Sequence, residues 1–450
     1  MSEPARVDHA FLIDVASAPY EIDRCIKSAY RERRPVYIHI PTDMVDMPVN
    51  EALLDNKLDL TPLSDPTIED GIVHACVEAI SAAKNPSVLV DALAQRFRAV
   101  EETRELVATL NLPTYTTILG KGIVDETSAN YVGLYGGYIS QPEIRDSIEA
   151  SDLVIFIGPF RTDSNTGGFT QNIPEGNLIS IYPRYVTIRG KKIAGAFITN
   201  VLTKLTKAIK GKVPEVKMPN IPPQPYEKAE SDSDVIKQSW VWRTLGDFVQ
   251  DNDIIVIESG TAQFGMPDAR FKAKNVLIIT QIFYSSIGYS VGAVLGALIG
   301  QRELKRPGRV IHIVGDGSLQ MTVQELGTAI RYNFTPTIFL INNAGYTIER
   351  AIHGPERGYN DIAEGWDYQN MLKFFGAKTS KSHVVKTKGE LDRLLADDEF
   401  KNGNQIKLAE VFMDKFDSPW RLTDQIAFSQ NKQRQWMAQL KQERAKYSLP

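Results

Sequence analysis

Two kinds of apolar pattern alternate along this chain. Short runs rich in branched residues, SVLVDA (87–92), DLVIFIGP (152–159) and NLISIYP (177–183), are separated by segments such as EETRELVATL (101–110), whose apolar positions recur at helical spacing. Such alternation predicts strands and helices in turn, and hence a parallel sheet with helices on both faces. The same grammar returns more strongly further on. WVWRTLGDFVQ (240–250) reads as a helix, DIIVIESG (253–260) as a strand, the Ala/Gly-rich IGYSVGAVLGALIGQ (287–301) as a helix, and RVIHIVGDG (309–317) as a strand running into a turn. Proline-containing stretches divide these blocks: LTPLSDPT (60–67) follows the run VYIHIPTDMV (36–45), and VPEVKMPNIPPQPYEKAESDSD (213–234) sets five prolines before a charged run. Both are expected to be linkers. No repeat of fixed period and no low-complexity tract is present.

Length and charge narrow the class. A chain of 450 residues suggests about three domains of roughly 150 residues each. The 51 Lys and Arg stand against 55 Asp and Glu, a formal charge of −4, with no basic block suited to nucleic acid or an anionic membrane. Small-molecule chemistry is the expectation that remains. Cys25 and Cys76 are the two cysteines, and their separation fits neither a zinc site nor a disulfide framework, which points to inert thiols in a reducing compartment. The N-terminus MSEPARVDHAFLIDV is acidic where a signal peptide is basic, and no run reaches the roughly 18 apolar residues of a membrane helix. A soluble cytoplasmic protein is expected.

The chemistry concentrates in GDGSLQMTVQELGTAIRYNFTPTIFLINNAGYTIE (315–349). RVIHIV predicts a central strand, and GDGS a tight turn whose glycines tolerate positive φ and let backbone amides approach a ligand. TVQELGTAIRY carries helical spacing, and TIFLI is a second strand ending at Asn342-Asn343. A right-handed crossover brings both strands to one carboxyl edge, so Asp316 and Asn343 are expected together. The helix N-terminus at that edge favours a diphosphate. A carboxylate, an amide oxygen and a nearby carbonyl are hard ligands suited to Mg²⁺. Taken singly, Gly-Asp-Gly is most often a turn and Asn-Asn commonly starts one; joined by 24 intervening residues in strand–turn–helix–strand order, they are far less accidental.

This GDG-x24-NN segment resembles the thiamine diphosphate signature, and the wording through YTIERAIHGP (346–355) is similar to the fungal pyruvate decarboxylases. The resemblance implies an α/β fold of two doubly wound parallel-sheet domains preceded by a remnant of a third. Residues 1–50 correspond to the end of a pyrimidine-binding domain, 66–212 to a middle domain, 213–237 to a linker, 238–420 to the thiamine diphosphate and Mg²⁺ domain, and 421–450 to a helical tail. It further implies Mg²⁺ on Asp316, Asn343 and the carbonyl of Gly345. Gly315, Gly317, Ser318 and Tyr346 are implied at the cofactor, with the backbone of Thr261 and of Ser285 near its aminopyrimidine. Ile287 matches an apolar wedge that folds the cofactor into a V, and Glu349 an active-site acid. Read from the residues alone, Ile287 is a core side chain and Glu349 a solvated helix residue pairing with Arg350 or another neighbour. The reaction implied is non-oxidative decarboxylation of a 2-oxo acid, pyruvate to acetaldehyde and CO₂. Indolepyruvate, phenylpyruvate and branched oxo acids are the alternatives, as is a noncatalytic cofactor-binding or assembly subunit. TIERAIHGP argues against an acetolactate synthase.

Departures from the family pattern matter equally. The family begins with a stretch absent here, carrying the glutamate that protonates N1′ of the cofactor and a His-His pair. His9, His39, His74, His312, His353 and His383 are each isolated in this sequence and read as surface or packed residues. This chain alone is therefore expected to be inactive, whether it is a truncated product, an incomplete gene model, or a subunit that borrows a complete partner. Homodimers or tetramers are implied. Leu93 and Ala94 stand where some relatives carry adjacent cysteines, and Ser285 where they carry glycine. Residues 10–45 are expected to expose apolar surface.

Overall fold

The computed structural model describes residues 2–221, 233–363 and 365–447, the last eight of these through their backbone alone. Of the expected linker, 222–232 lies outside the described residues, and the flanking 211–221 carries no regular element. Near the N-terminus, β1 (Asp8–Phe11) and β2 (Val36–His39) form a two-stranded parallel sheet against the helix Ala18–Glu32. Its small core holds Ala10, Leu12, Ala18 and Cys25. Phe11, Ile13, Tyr20, Tyr37 and Ile40 are exposed around it, as the pattern of 10–45 predicts.

The next sheet has seven strands: β3 (Pro86–Val90), β4 (Thr114–Thr116), β5 (Tyr131–Leu134), β6 (Leu153–Ile157), β7 (Leu178–Ile181), β8 (Tyr185–Ile188) and β9 (Lys191–Ala194). They lie in the order β5-β4-β3-β6-β7-β8-β9. Pairing is parallel through β7. An antiparallel β7-β8-β9 meander, absent from the sequence expectation, finishes the edge. Val88, Val90, Ile155 and Ile157 face one core while Leu89, Val154 and Phe156 face another. Both faces are thus buried, which explains continuous apolar runs in place of alternation. Each such side chain contributes about 1.5–3 kcal/mol.

A six-stranded, wholly parallel sheet follows: β10 (Ile254–Ile257), β11 (Leu277–Thr280), β12 (Val310–Gly315), β13 (Thr337–Asn342), β14 (Ser380–Val385) and β15 (Ile406–Phe412), ordered β11-β10-β12-β13-β15-β14. The chain leaves β10 toward one edge through β11, then returns to β12 and builds the other way. A crevice opens at such a switch point, beyond the carboxyl ends of β10 and β12. The two larger sheets are tied together by polar groups. Lys121 Nζ sits 2.8 Å from Glu126 Oε1 and 2.5 Å from the Ala269 carbonyl, while the Phe271 N–H donates to Glu126 at 2.9 Å. Among the described residues, no helix is long and apolar enough to cross a membrane.

The GDGS turn differs from expectation. Gly315 has φ −79° and the helix Asp316–Thr322 begins at once, so no left-handed turn intervenes. Gly317 serves through its missing side chain: a Cβ there would lie 2.7 Å from Tyr346 Cε1. The expected single helix is also broken, with Glu325–Arg331 a separate element.

Candidate functional site

Three neighbouring strand ends, β10, β12 and β13, deliver most of the polar groups of one cleft of 510 Å³. Every candidate cofactor, metal or catalytic residue read from the sequence lines it except Asp316, which is fully buried. Thr261 opens the short helix after β10, and Ile287 comes from the loop before the helix Tyr289–Glu303. Gly315, Gly317 and Ser318 come from the β12 end, and Asn343, Gly345, Tyr346 and Glu349 from the β13 end. Ser285 adopts φ +48°, the left-handed conformation glycine favours, so the serine keeps a glycine-like backbone path.

Asp316 is held from below by backbone. Its Oδ1 accepts from the Gly317 N–H at 2.8 Å and its Oδ2 from the Gly345 N–H at 3.1 Å. Burial nevertheless pushes its carboxyl up to about 6, only partly opposed by those N–H groups. A buried carboxylate so placed favours a neighbouring cation. Asn343 points the same way. Its side-chain oxygen faces Asp316 Oδ1 at 3.2 Å and the Gly345 carbonyl at 2.9 Å, three acceptors with no proton among them. Turning the amide over would supply N–H groups to both. The present orientation, however, lets Asn343 Nδ2 donate to Thr347 Oγ1 at 2.8 Å while that hydroxyl donates to the Lys415 carbonyl at 3.1 Å. Turned over, the one hydroxyl proton would have to serve both oxygens. Oxygens about 3 Å apart match adjacent ligands of an octahedral Mg²⁺ at about 2.1 Å. The set fits a small divalent cation.

Above this floor, the helix Asp316–Thr322 starts without a side chain capping it from the N-cap position, and beyond the Gly317 N–H given to Asp316 its first turn can face an anion. The Tyr346 hydroxyl donates to the Gly317 carbonyl at 3.2 Å. Arg350, almost fully buried, donates to the Ala344 carbonyl at 2.6 Å and to the Asn343 carbonyl at 3.3 Å, and pairs with Asp361. It holds the loop that carries Gly345. Glu349 therefore pairs not with Arg350 but with His353, one helical turn on, at 3.2 Å.

Several contributors escaped the sequence reading. The helix Trp420–Tyr447 is more than a tail, because Leu422, Gln425, Ile426, Ser429 and Gln433 line the cleft. Their spacing of three, one, three and four residues is the helical stripe that could have revealed them. Trp420 Nε1 donates to Asp268 at 2.9 Å and Arg421 pairs with the same carboxylate, anchoring that helix. Glu258, buried at the β10 end, was also passed over. His312 lies in the core with its ring kept neutral by burial, at about 3, while Cys25 and Cys76 are buried free thiols.

Comparison with known proteins matches this geography. The family described as "Thiamine pyrophosphate enzyme, central domain" matches residues 73–207, and "Thiamine pyrophosphate enzyme, C-terminal TPP binding domain" matches 259–404. Pyruvate decarboxylase isozyme 2 of Saccharomyces cerevisiae is 40% identical over 92% of this chain and 74% of its own length. Pyruvate decarboxylase of Candida glabrata is 38% identical over the same shares. In fold, the chain is similar to the benzoylformate decarboxylase of Polynucleobacter necessarius, with a TM-score of 0.72 at 19% identity, covering 93% of this chain and 78% of that one.

Proposed function

The chain belongs to the thiamine pyrophosphate enzymes, in the pyruvate decarboxylase family, and from that premise we propose that it serves the non-oxidative decarboxylation of a 2-oxo acid, pyruvate foremost, with thiamine diphosphate and Mg²⁺. The observation that carries this reading is the convergence of Asp316, Asn343 and the Gly345 carbonyl at the floor of the cleft that Ile287 and Glu349 also line. Asp316, Asn343 and Gly345 would hold Mg²⁺, and Gly315, Gly317 and Ser318 the diphosphate, with Tyr346 beside them. Backbone groups of Thr261 and Ser285 would meet the aminopyrimidine, and Ile287 would stand under the bend between the two rings. When bound, thiamine diphosphate supplies a sink for the electron pair released as CO₂ leaves. Glu349 holds or moves the proton at its carboxylate, next to His353, where the substrate's carboxylate and the nascent aldehyde would lie.

The described residues lining the cleft include two carboxylates, Glu258 and Glu349. Both oxygens of Glu258 are already taken by N–H and O–H donors, and Glu349 is the acid assigned to the substrate, which leaves neither for the pyrimidine. We therefore propose that the 450-residue polypeptide alone does not turn over, and that a second subunit, a homo-oligomer partner or a full-length copy, completes the site in the cytoplasm. The same lining favours a second reading, a cofactor-binding subunit without turnover of its own.

Acetaldehyde release from pyruvate, with Mg²⁺ and thiamine diphosphate, tests both with and without Asp316→Ala. Cofactor binding that needs Asp316, with release only after a complete subunit is added, is the expected result. Turnover by the lone chain would sink the claim of dependence, and failure to bind the cofactor at all would sink the decarboxylase reading.

A further inference from the structure

The residue after the proposed wedge is fastened on both sides. Gly288, at φ +90°, gives its N–H to Glu258 Oε1 at 3.1 Å, and its carbonyl accepts from the Thr322 hydroxyl at 2.5 Å. An added Cβ would stand 3.0 Å from Met321 Cβ, so the backbone here lies directly on the helix Asp316–Thr322. Tyr289 adds a third tie, its hydroxyl donating to the Ile257 carbonyl at 2.5 Å. On the other side of Ile287, residues 283–286 are exposed. The ties there are to exposed or neighbouring groups, Ser286 N–H to Gln281 Oε1 at 3.1 Å among them, so the buried ties that hold Ile287 are those of Gly288 to Ser290.

Glu258 is the centre of that fastening. Fully buried, it takes Ser259 N–H at 2.8 Å and Gly288 N–H on Oε1, and Ser290 N–H at 3.3 Å and the Ser290 hydroxyl at 2.5 Å on Oε2. Two of these N–H groups open the fifteen-residue helix Tyr289–Glu303, whose N-terminus stabilises a carboxylate. Behind it, His312 Nε2 lies 2.7 Å from Ser290 Oγ. Since the Ser290 proton goes to the carboxylate, the neutral ring must donate through Nε2–H, and its Nδ1 is left without a partner. The result is an ordered chain of donors, His312 to Ser290 to Glu258. A buried carboxylate with four donors is costly to disturb, because every donor left unpaired stays desolvated without a partner.

We infer that Glu258 is a positioning residue for the wedge: its carboxylate, at the tip of β10, fixes Gly288 and Ser290 and thereby sets where Ile287 stands against Thr261 across the cleft. This rests on the reading of Ile287 as the side chain beneath the cofactor. Glu258→Gln keeps the shape but presents an amide nitrogen where one oxygen received Ser290, so the clamp loosens without emptying a cavity.

Isothermal titration of the 450-residue protein with two probes, thiamine diphosphate and inorganic pyrophosphate, each with Mg²⁺, separates positioning from general damage. Glu258→Gln is expected to weaken thiamine diphosphate by about 10–100-fold, as Ile287→Ala does, while pyrophosphate, which never reaches the wedge, changes by less than about threefold. Hydrogen exchange at the Gly288 and Ser290 amides should quicken in Glu258→Gln and not in Ile287→Ala. Equal loss for both probes would make Glu258 merely structural and overturn the inference, as would full thiamine diphosphate affinity. Should Glu258→Gln fail to fold, Ser290→Ala, which removes only the hydroxyl bridge to the carboxylate, carries the same contrast at about tenfold for thiamine diphosphate. A wild-type protein that binds pyrophosphate but not thiamine diphosphate would end the functional reading. Even then, unchanged exchange at Gly288 in Glu258→Gln would separately overturn the positioning claim.

Discussion

Two buried aspartates flank the switch points of the two large sheets, and they have opposite fates. Asp91 follows β3 and Asp316 follows β12, each at the carboxyl end of a strand beside the point where the chain reverses its direction across the sheet. Asp91 is wrapped by the protein. It accepts from Ala92 N–H at 2.7 Å, Thr117 Oγ1 at 2.5 Å, Phe160 N–H at 2.6 Å and Asn165 Nδ2 at 3.0 Å. Because Phe160 follows β6, the carboxylate closes the crevice between β3 and β6 like a rivet. Asp316 receives backbone N–H groups only, and its Oδ1 faces the side-chain oxygen of Asn343, which in turn faces the Gly345 carbonyl. Burial raises the carboxyl of both. A doubly wound sheet supplies the crevice; the donors around it decide whether the crevice is sealed or left for a cation.

The sharpest way to break this comparison is to remove each carboxylate. Asp316→Ala should weaken Mg²⁺-dependent thiamine diphosphate binding by more than about 100-fold, yet cost the cation-free protein little stability, since relief of a buried charge offsets the freed N–H groups of Gly317 and Gly345. Asp91→Ala should do the reverse. Its orphaned donors cost on the order of 3 kcal/mol in urea unfolding while cofactor affinity stays within about threefold. Matching effects at the two sites would refute the distinction.

Next in size, Glu349→Gln asks whether the open crevice does chemistry as well as binding. In a completed assembly it should cut acetaldehyde release about 100-fold, with thiamine diphosphate binding retained. Binding lost in step with turnover would count against a proton-handling role.

Acid should separate the two crevices more gently. His312, depressed to about 3, underlies the C-terminal crevice, whereas the middle domain carries only the exposed His74. Above pH 6.5 the folded and unfolded states hold equal protons on this ring; below it the unfolded state binds one first, so stability falls as pH falls, by about 2 kcal/mol at pH 5. Asp316 works oppositely, since a carboxyl raised to about 6 gains stability on protonation. The stability difference between wild type and His312→Leu isolates the histidine, and no drift of that difference between pH 7 and 5 would refute the assignment. The smallest effect belongs to Ser285→Gly. It relieves a left-handed serine at a cost or gain within about 1 kcal/mol, and it should leave cofactor affinity within about twofold.

The strands were legible because burial on both faces demands unbroken apolar runs, and RVIHIV and TIFLI met that demand openly. Asp316 and Asn343 were legible because adjacent parallel strands must end at one edge. The break between Thr322 and Glu325 and the antiparallel addition of β8 and β9 to the β7 edge were not. Each depends on contacts that local pattern does not encode. The helix Trp420–Tyr447 shows the limit well: its stripe of Leu422, Gln425 and Ile426 is readable as amphipathic, but only Asp268, more than 150 residues earlier, determines what it covers.

By itself, then, the sequence determined the order of strands and helices, the doubly wound class and the residues we propose to hold a diphosphate and its cation, because periodicity and residue chemistry are local properties. Only the tertiary structure decided that Asp91 is sealed and Asp316 open, that Glu258 grips the helix beside Ile287, and that Arg350 serves the Gly345 loop in place of Glu349. Those outcomes turn on which donor comes within hydrogen-bond reach of which oxygen, and that distance is set by packing between segments far apart in the chain.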